Sequence, residues 1–418
     1  MTLRALKTIA VGLVVLGTFA IATLNDHASA AEEKEGKGGK REAPQIDAST
    51  GKRLNEAIEA LNAQKYDEAK ADLAKMNMEK LSPYEKSRVF QIYASIAGAQ
   101  NDYDGVRKNM QNAIASGGLN DEEIQEARYQ IAQMYIAQEK WQEGINALNE
   151  WFQTAVNPNS TAYYLLAVAY YQLKKMDQAL VPAQKAVDLT ENPRESWLQL
   201  LLALRIEKEQ YDEAIPLLKR LVMADPSKKA YWVQLSAVNR QLERYEESLA
   251  VLEVANLAGL LTTDSDLRPM TDLEAFVGIP YRAASNLDKF IAKGTIKPDE
   301  KAYERLAFSW IESREYKRAI APLEKAGEMH ENGDTFVRLA EVQLQRQDWP
   351  GATDALQKAL NKGNLKDTGN TQLLMGIALY SNKQPKEARG WFEKAATHDK
   401  QKTQAQAWIK HIDADTSS

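Results

Sequence analysis

Ten times along the chain, a large and usually aromatic residue is followed by two mostly polar residues and then a small one. The copies open at Tyr66, Tyr103, Trp141, Met176, Tyr211, Tyr245, Tyr281, Tyr316, Trp349 and Pro385. They close on Ala69, Val106, Gly144, Ala179, Ala214, Ser248, Ala284, Ala319, Ala352 and Ala388. The intervals between openings are 37, 38, 35, 35, 34, 36, 35, 33 and 36 residues. A steady period of this size means units that touch only their neighbours and bury a shared core by stacking. A chain of 418 residues would otherwise suggest two or three compact domains; an array grows instead by adding units.

One unit shows the physics. Over 212–223, Ala214, Ile215, Leu218, Leu221 and Val222 recur at steps of three and four, which predicts a helix with one apolar stripe. The segment 196–207 carries Trp197, Leu200, Leu201 and Leu204 on its own stripe. The bridge between them is short and polar, so the two helices lie antiparallel, and small Ala214 lets them approach. Pro182, Pro216 and Pro322, two or three residues after the small residue, are read as tolerated near the first turn of a second helix, where the missing donor is largely unpaired. Gly376, at the eighth position of the last unit, marks a close helix crossing, with Phe392 and Ala395 as later core positions.

The period and these positions resemble the tetratricopeptide repeat over roughly residues 51–400. The resemblance implies an all-α fold, a right-handed α-α superhelical solenoid of about ten tetratricopeptide repeats. It also implies protein binding on the concave face lined by the first helix of each pair. The positions on that face are Tyr129, Gln133 and Ile136; Tyr164, Val168 and Tyr171; Gln199, Ala203 and Ile206; and Val233, Ala237 and Arg240. Aromatic residues at such a surface favour protein partners; the competing reading is that the rings are half buried by packing. Lys and Arg are sparse there, Lys301 and Arg240 being exceptions, so a groove for an extended or helical segment with apolar anchors fits better than a carboxylate clamp.

The termini divide the chain further. Arg4 and Lys7 precede an uncharged apolar run from Ile9 to Leu24, and Ala28-Ser29-Ala30 follows. This is the pattern of a secretory signal peptide over 1–30, cut after Ala30, with an uncleaved anchor as the alternative. Residues 31–50 form a charged spacer expected to be disordered. A first array is expected over 51–258 and a second over 271–400. Gly259 is expected to stop a helix and the polar run after it to restart one behind an Asp or Ser cap, an irregular connector over 259–270 that is either a hinge or a longer loop. Residues 401–418 are expected to hold a capping helix and tail, with Ala407, Trp408, Ile409 and Ile412 on its apolar side.

The inventory of reactive groups argues against catalysis. There are no cysteines, and the four histidines lack metal-ligand spacing, so neither metal nor cofactor is expected. No phosphate loop, dinucleotide fingerprint or nucleophile elbow occurs. The net charge of −5 carries no basic footprint for nucleic acid. The expectation is a non-enzymatic protein-binding scaffold, reaching a membrane only through partners or an uncleaved leader.

Two stretches narrow the resemblance: Leu260-Leu261-Thr-Thr-Asp-Ser-Asp-Leu267, and Gly278-Ile279-Pro280-Tyr281-Arg282-Ala283-Ala284 leading into Leu287. With the leader, the charged spacer and the near-complete repeat coverage, they make the chain similar to exported tetratricopeptide proteins encoded beside TonB energy-transduction systems. That similarity implies a periplasmic accessory protein binding the TonB-like protein or its inner-membrane motor components. A periplasmic assembly factor for outer-membrane protein, pilus or exopolysaccharide export machinery is the alternative.

Overall fold

The computed structural model describes residues 45–416; the expected leader and the spacer as far as residue 44 lie outside the described residues. The described chain is helical, with no strand. Ten helix pairs follow one another. They are α1 (Ala48–Asn62) with α2 (Tyr66–Ala74), α3 (Pro83–Ala99) with α4 (Tyr103–Ala115), α5 (Asp121–Ala137) with α6 (Trp141–Phe152), α7 (Ser160–Gln172) with α8 (Met176–Asp188), and α9 (Glu195–Glu207) with α10 (Tyr211–Ala224). Then come α11 (Lys229–Gln241) with α12 (Tyr245–Leu257), α13 (Asp264–Phe276) with α14 (Pro280–Ala292), α15 (Glu300–Glu312) with α16 (Tyr316–Met329), α17 (Asp334–Gln345) with α18 (Trp349–Lys362), and α19 (Thr368–Ser381) with α20 (Pro385–Ala395). A last helix, α21 (Asp399–Thr416), follows them.

Every pair is joined by the same turn. The residue two before the second helix has a left-handed backbone: Gln64, Asn101, Glu139, Lys174, Glu209, Glu243, Arg314, Gln347 and Lys383 at φ of 56° to 61°, and Gly278 at 81°. The next residue's N–H then reaches back five positions to a carbonyl of the first helix, as from Lys65 to Ala60 (2.8 Å), Lys140 to Tyr135 (2.9 Å) and Ile279 to Glu274 (3.0 Å). This closes the first helix by a Schellman motif and satisfies carbonyls that would otherwise lack a donor. The close approach of paired helices depends on two small residues. Ala57, Ala94, Ala132, Ala167, Ala307 and Ala340 on first helices are wholly buried, as are Ala69, Ala179, Ala319, Ala352 and Ala388 on second helices. In the sixth pair serines hold both places, and Ser236 and Ser248 satisfy one another by a 2.8 Å hydroxyl contact. At Gly376 an added Cβ would sit 2.6 Å from the Phe392 ring, which accounts for the glycine.

The chain forms two compact units that part between Leu217 and Leu218, within α10. In the first, the core runs as local clusters, one from Leu54 to Ile96, one around Val106 and Met134, and one around Ile136 and Leu166. The Glu85 carboxylate ties its beginning together, accepting the Asp47 N–H at 3.0 Å and the Ser82 N–H at 2.9 Å. In the second, a single core extends from Leu249 to Ile412. There α21 packs on α19 and α20. Trp408 stacks on Phe392 with centroids 5.5 Å apart, and Arg389 pairs with Asp413 at 2.8 Å.

Four sequence expectations need correction. Residues 48–50, assigned to the spacer, begin α1, with Thr50 buried and Asp47 capping the helix. The segment 259–270 is not irregular throughout: its second half is helical. Gly259 ends α12, and α13 starts at Asp264 behind a Thr263–Asp266 capping box. Leu261, Leu267 and Met270 belong to the same core as Leu252 and Leu273. The seventh repeat opens at Pro280, not Tyr281, because its left-handed residue is Gly278; the small partner is then Ala283, and Tyr281 turns outward. Finally, Pro182, Pro216 and Pro322 lie inside their helices, in the second turn rather than the first.

Candidate protein-binding face

The residues expected to line the first-helix face divide by burial. In the first unit, Tyr129 and Gln133 project from α5, Tyr164 and Tyr171 from α7, and Gln199 from α9; all five are half-buried. Ile136 is fully buried, Val168 is 4% exposed and Ala203 is 8% exposed, so these three pack rather than face a partner. The reason for Val168 is local. Residues 165–169 of α7 are apolar and all buried, and a helix that is apolar all round is covered all round.

The tyrosines are held by tryptophans. Tyr129 stacks on Trp151 of α6 at 4.7 Å, and Tyr164 stacks on Trp197 of α9 at 5.4 Å. Burial pushes the Tyr129 hydroxyl up to about 12 and also raises that of Tyr164, so both stay neutral donors. Trp151 is the residue the sequence reading missed. It stands twelve residues beyond the left-handed turn, where the eighth, sixth and tenth pairs have Ala326, Ala255 and Ala395. Its ring and Phe152 extend the stack to Tyr163, which lies 4.7 Å from Phe152. The Gln199 amide donates to Glu195 at 2.9 Å. The Tyr129 hydroxyl is itself buried, so this face offers Tyr171 and the amides of Gln133 and Gln199 beside ring walls, uncharged groups suited to hydrogen-bonding a polypeptide. In the second unit, α11 presents half-buried Val233 and exposed Arg240.

One cluster with metal-type donors is invisible in the sequence spacing. Glu300 and Glu304 of α15 and His330 at the end of α16 bring their ligand atoms within 4.8 Å of one another. His330 Nδ1 accepts the Asn332 N–H at 3.3 Å, and Nε2 lies 3.3 Å from Glu300 Oε1. Nδ1 is thus engaged by the backbone and Nε2 faces the carboxylate. The trio is an acid–imidazole contact joining two helices.

A tetratricopeptide repeat family profile matches residues 129–193 and 204–258. Among solved structures, a tetratricopeptide repeat protein from Parabacteroides merdae ATCC 43184 is 16% identical over 62% of this chain and 99% of its own, with a TM-score of 0.35. YrrB, described as a TPR protein with an unusual peptide-binding site, is 19% identical over 40% of this chain and 82% of its own, at 0.34. A point mutant of MamA is 16% identical over 43% of this chain and 94% of its own, at 0.36. No curated protein matches the chain. Repeats of this type are protein-interaction scaffolds. The shared turn runs through all ten described helix pairs and small residues pack between most of them, so the fold is an all-α solenoid of the tetratricopeptide-repeat type, with residues 129–193 and 204–258 matching that repeat's profile.

Proposed function

We propose that the protein is a periplasmic protein-binding scaffold and an accessory component of a TonB-type energy-transduction system, holding the TonB-like protein or its inner-membrane motor components. The observation that carries the binding reading is the half-buried row Tyr129, Gln133, Tyr164, Tyr171 and Gln199 on consecutive first helices, neutral and ring-walled. The export reading is supported by the basic, apolar and Ala-x-Ala pattern of residues 1–30, and the system by the two stretches around Leu260 and Gly278.

One experiment in intact cells tests both parts. Crosslinked complexes are purified from the periplasmic fraction and the captured proteins identified by mass. The expected results are a mature chain beginning at Ala31 and capture of motor or TonB-like subunits. Tyr171→Ala combined with Gln133→Ala should lower that capture about tenfold while helicity stays unchanged, since loss of an interface aromatic costs about 1–2 kcal/mol. Capture of pilus or polysaccharide-export subunits with no motor component would overturn the system. Unchanged capture by the double variant would overturn the face.

A further inference from the structure

A cavity of about 430 Å³ lies in the second unit between two successive second helices. Tyr281, Ser285 and Asp288 of α14 form one wall and Arg318 with Pro322 of α16 the other, over a floor of Trp310 from α15. The wall exists because of the register of the seventh repeat. With Pro280 in the packing position, Tyr281 occupies the next, outward place, which in the first six repeats holds Asp67, Asp104, Gln142, Asp177, Asp212 and Glu246. Tyr281 is 51% exposed, and its ring meets Trp310 edge to face at 5.5 Å.

Arg318 is the charged group of this cavity. Its guanidinium lies over Trp310 at 4.5 Å and near the Tyr281 ring at 5.8 Å, and it donates to the Tyr281 hydroxyl at 3.3 Å. Among the described residues no carboxylate pairs with it. By contrast Arg282, at the same place one repeat earlier, is matched by both Glu253 and Glu274. Arginine held flat on aromatic rings keeps its planar fork oriented, so little freedom is lost when an anion arrives. The surroundings favour an anion too: α14 and α16 carry five basic and three acidic residues in a chain whose net charge is −5. Trp310 is 3% exposed and Pro322 is buried, so the apolar surface open beside that anion is the ring of Tyr281, which asks for an apolar neighbour. Asp288, seven residues from Tyr281, is about 10 Å along the helix and so leaves the Arg318 end clear of negative charge.

We propose that this cavity is a docking site for a partner protein segment in which an acidic side chain is followed by an apolar one. The carboxylate is held by Arg318 and the Tyr281 hydroxyl, and the apolar group rests on the exposed Tyr281 ring. The inference rests on the scaffold reading and adds a second contact, separate from the neutral face of the first unit.

Fluorescence anisotropy on the full chain tests it. The probes are short labelled peptides, acetylated and amidated at their ends, carrying either Asp-Leu-Leu or Asn-Leu-Leu. The acidic peptide should bind at least about tenfold more tightly, as expected of one charge-assisted bond, and its advantage should shrink with added salt. Arg318→Gln should remove that discrimination, Tyr281→Phe should reduce it, and Arg318→Lys should keep part of it, with circular dichroism unchanged throughout. Equal binding of the two peptides, or discrimination that survives Arg318→Gln, would overturn the site. So would inorganic phosphate binding at Arg318 without any peptide preference. The Gln133→Ala, Tyr171→Ala variant should bind the acidic peptide as wild type does; if it alone loses the peptide, this cavity is refuted while the first-unit face stands.

Discussion

At the scale of single residues, Glu274 is a buried carboxylate of the second unit. It is 1% exposed on α13, accepts from Asn286 at 2.7 Å and lies 3.2 Å from Arg282 Nε, which is shared with Glu253. Its second carboxylate oxygen, Oε2, is buried without a partner. Burial pushes its pKa up to about 6, against the pull of Asn286 and Arg282. The sign follows from linkage. The fold holds a proton that the unfolded chain releases, so stability falls as pH rises from the unfolded value near 4.5 through about 6. Glu274→Gln should therefore match wild type in thermal midpoint at pH 4.5 and exceed it at pH 7.5 by roughly 2 kcal/mol, from about 1.4 kcal/mol per pKa unit. A gain that does not change with pH would contradict this.

At the scale of elements, the recurring object is the turn within each helix pair. Nine of its ten left-handed residues are not glycine, and eight of those are neither glycine nor asparagine. A residue with a Cβ in that conformation costs about 1 kcal/mol, so these turns persist because the stacked helices on either side impose them. Glu243→Gly should raise the stability of the second unit by about 0.5–1 kcal/mol, and Gly278→Ala should lower it by about 1 kcal/mol. Denaturant midpoints measure both, and equal midpoints for all three proteins would show that the turn stores no strain. The same element explains why the seventh repeat was placed one residue late. Aromatic Tyr281 resembles the packing residues of other repeats, but only the position of Gly278 reveals which neighbour begins the helix. The helix restart expected inside the connector is there, but its cap is Thr263 with Asp266 rather than a leading Asp or Ser.

At the scale of the whole molecule, stacked pairs need an end. In the second unit α21 covers Phe392, which is wholly buried. Trp408 and the Arg389–Asp413 pair fix it there. Nearest-neighbour stacking means that removing a cap weakens the adjoining repeat first. A chain ending at residue 398 should unfold at lower temperature and associate through the exposed patch, as read by calorimetry and light scattering. A truncated chain that stays monomeric with an unchanged midpoint would deny α21 that role.

The sequence by itself determined that the chain is helical, that its helices come in pairs and how often they recur, because a period of three to four residues nested in one near 35 has few solutions. It also identified small residues such as Gly376 that let helices meet. What it left open is which residues of a first helix remain reachable. Tyr171 and Val168 share the α7 face in the pattern, yet one is half-buried and the other nearly sealed. Their exposure is set by side chains from neighbouring helices, as the ring of Trp151 over Tyr129 shows. The same holds for Arg318, whose place on Trp310 beside Tyr281 joins residues 8 and 37 positions apart. Burial and pairing depend on contacts between turns of the array, and only tertiary structure decides those.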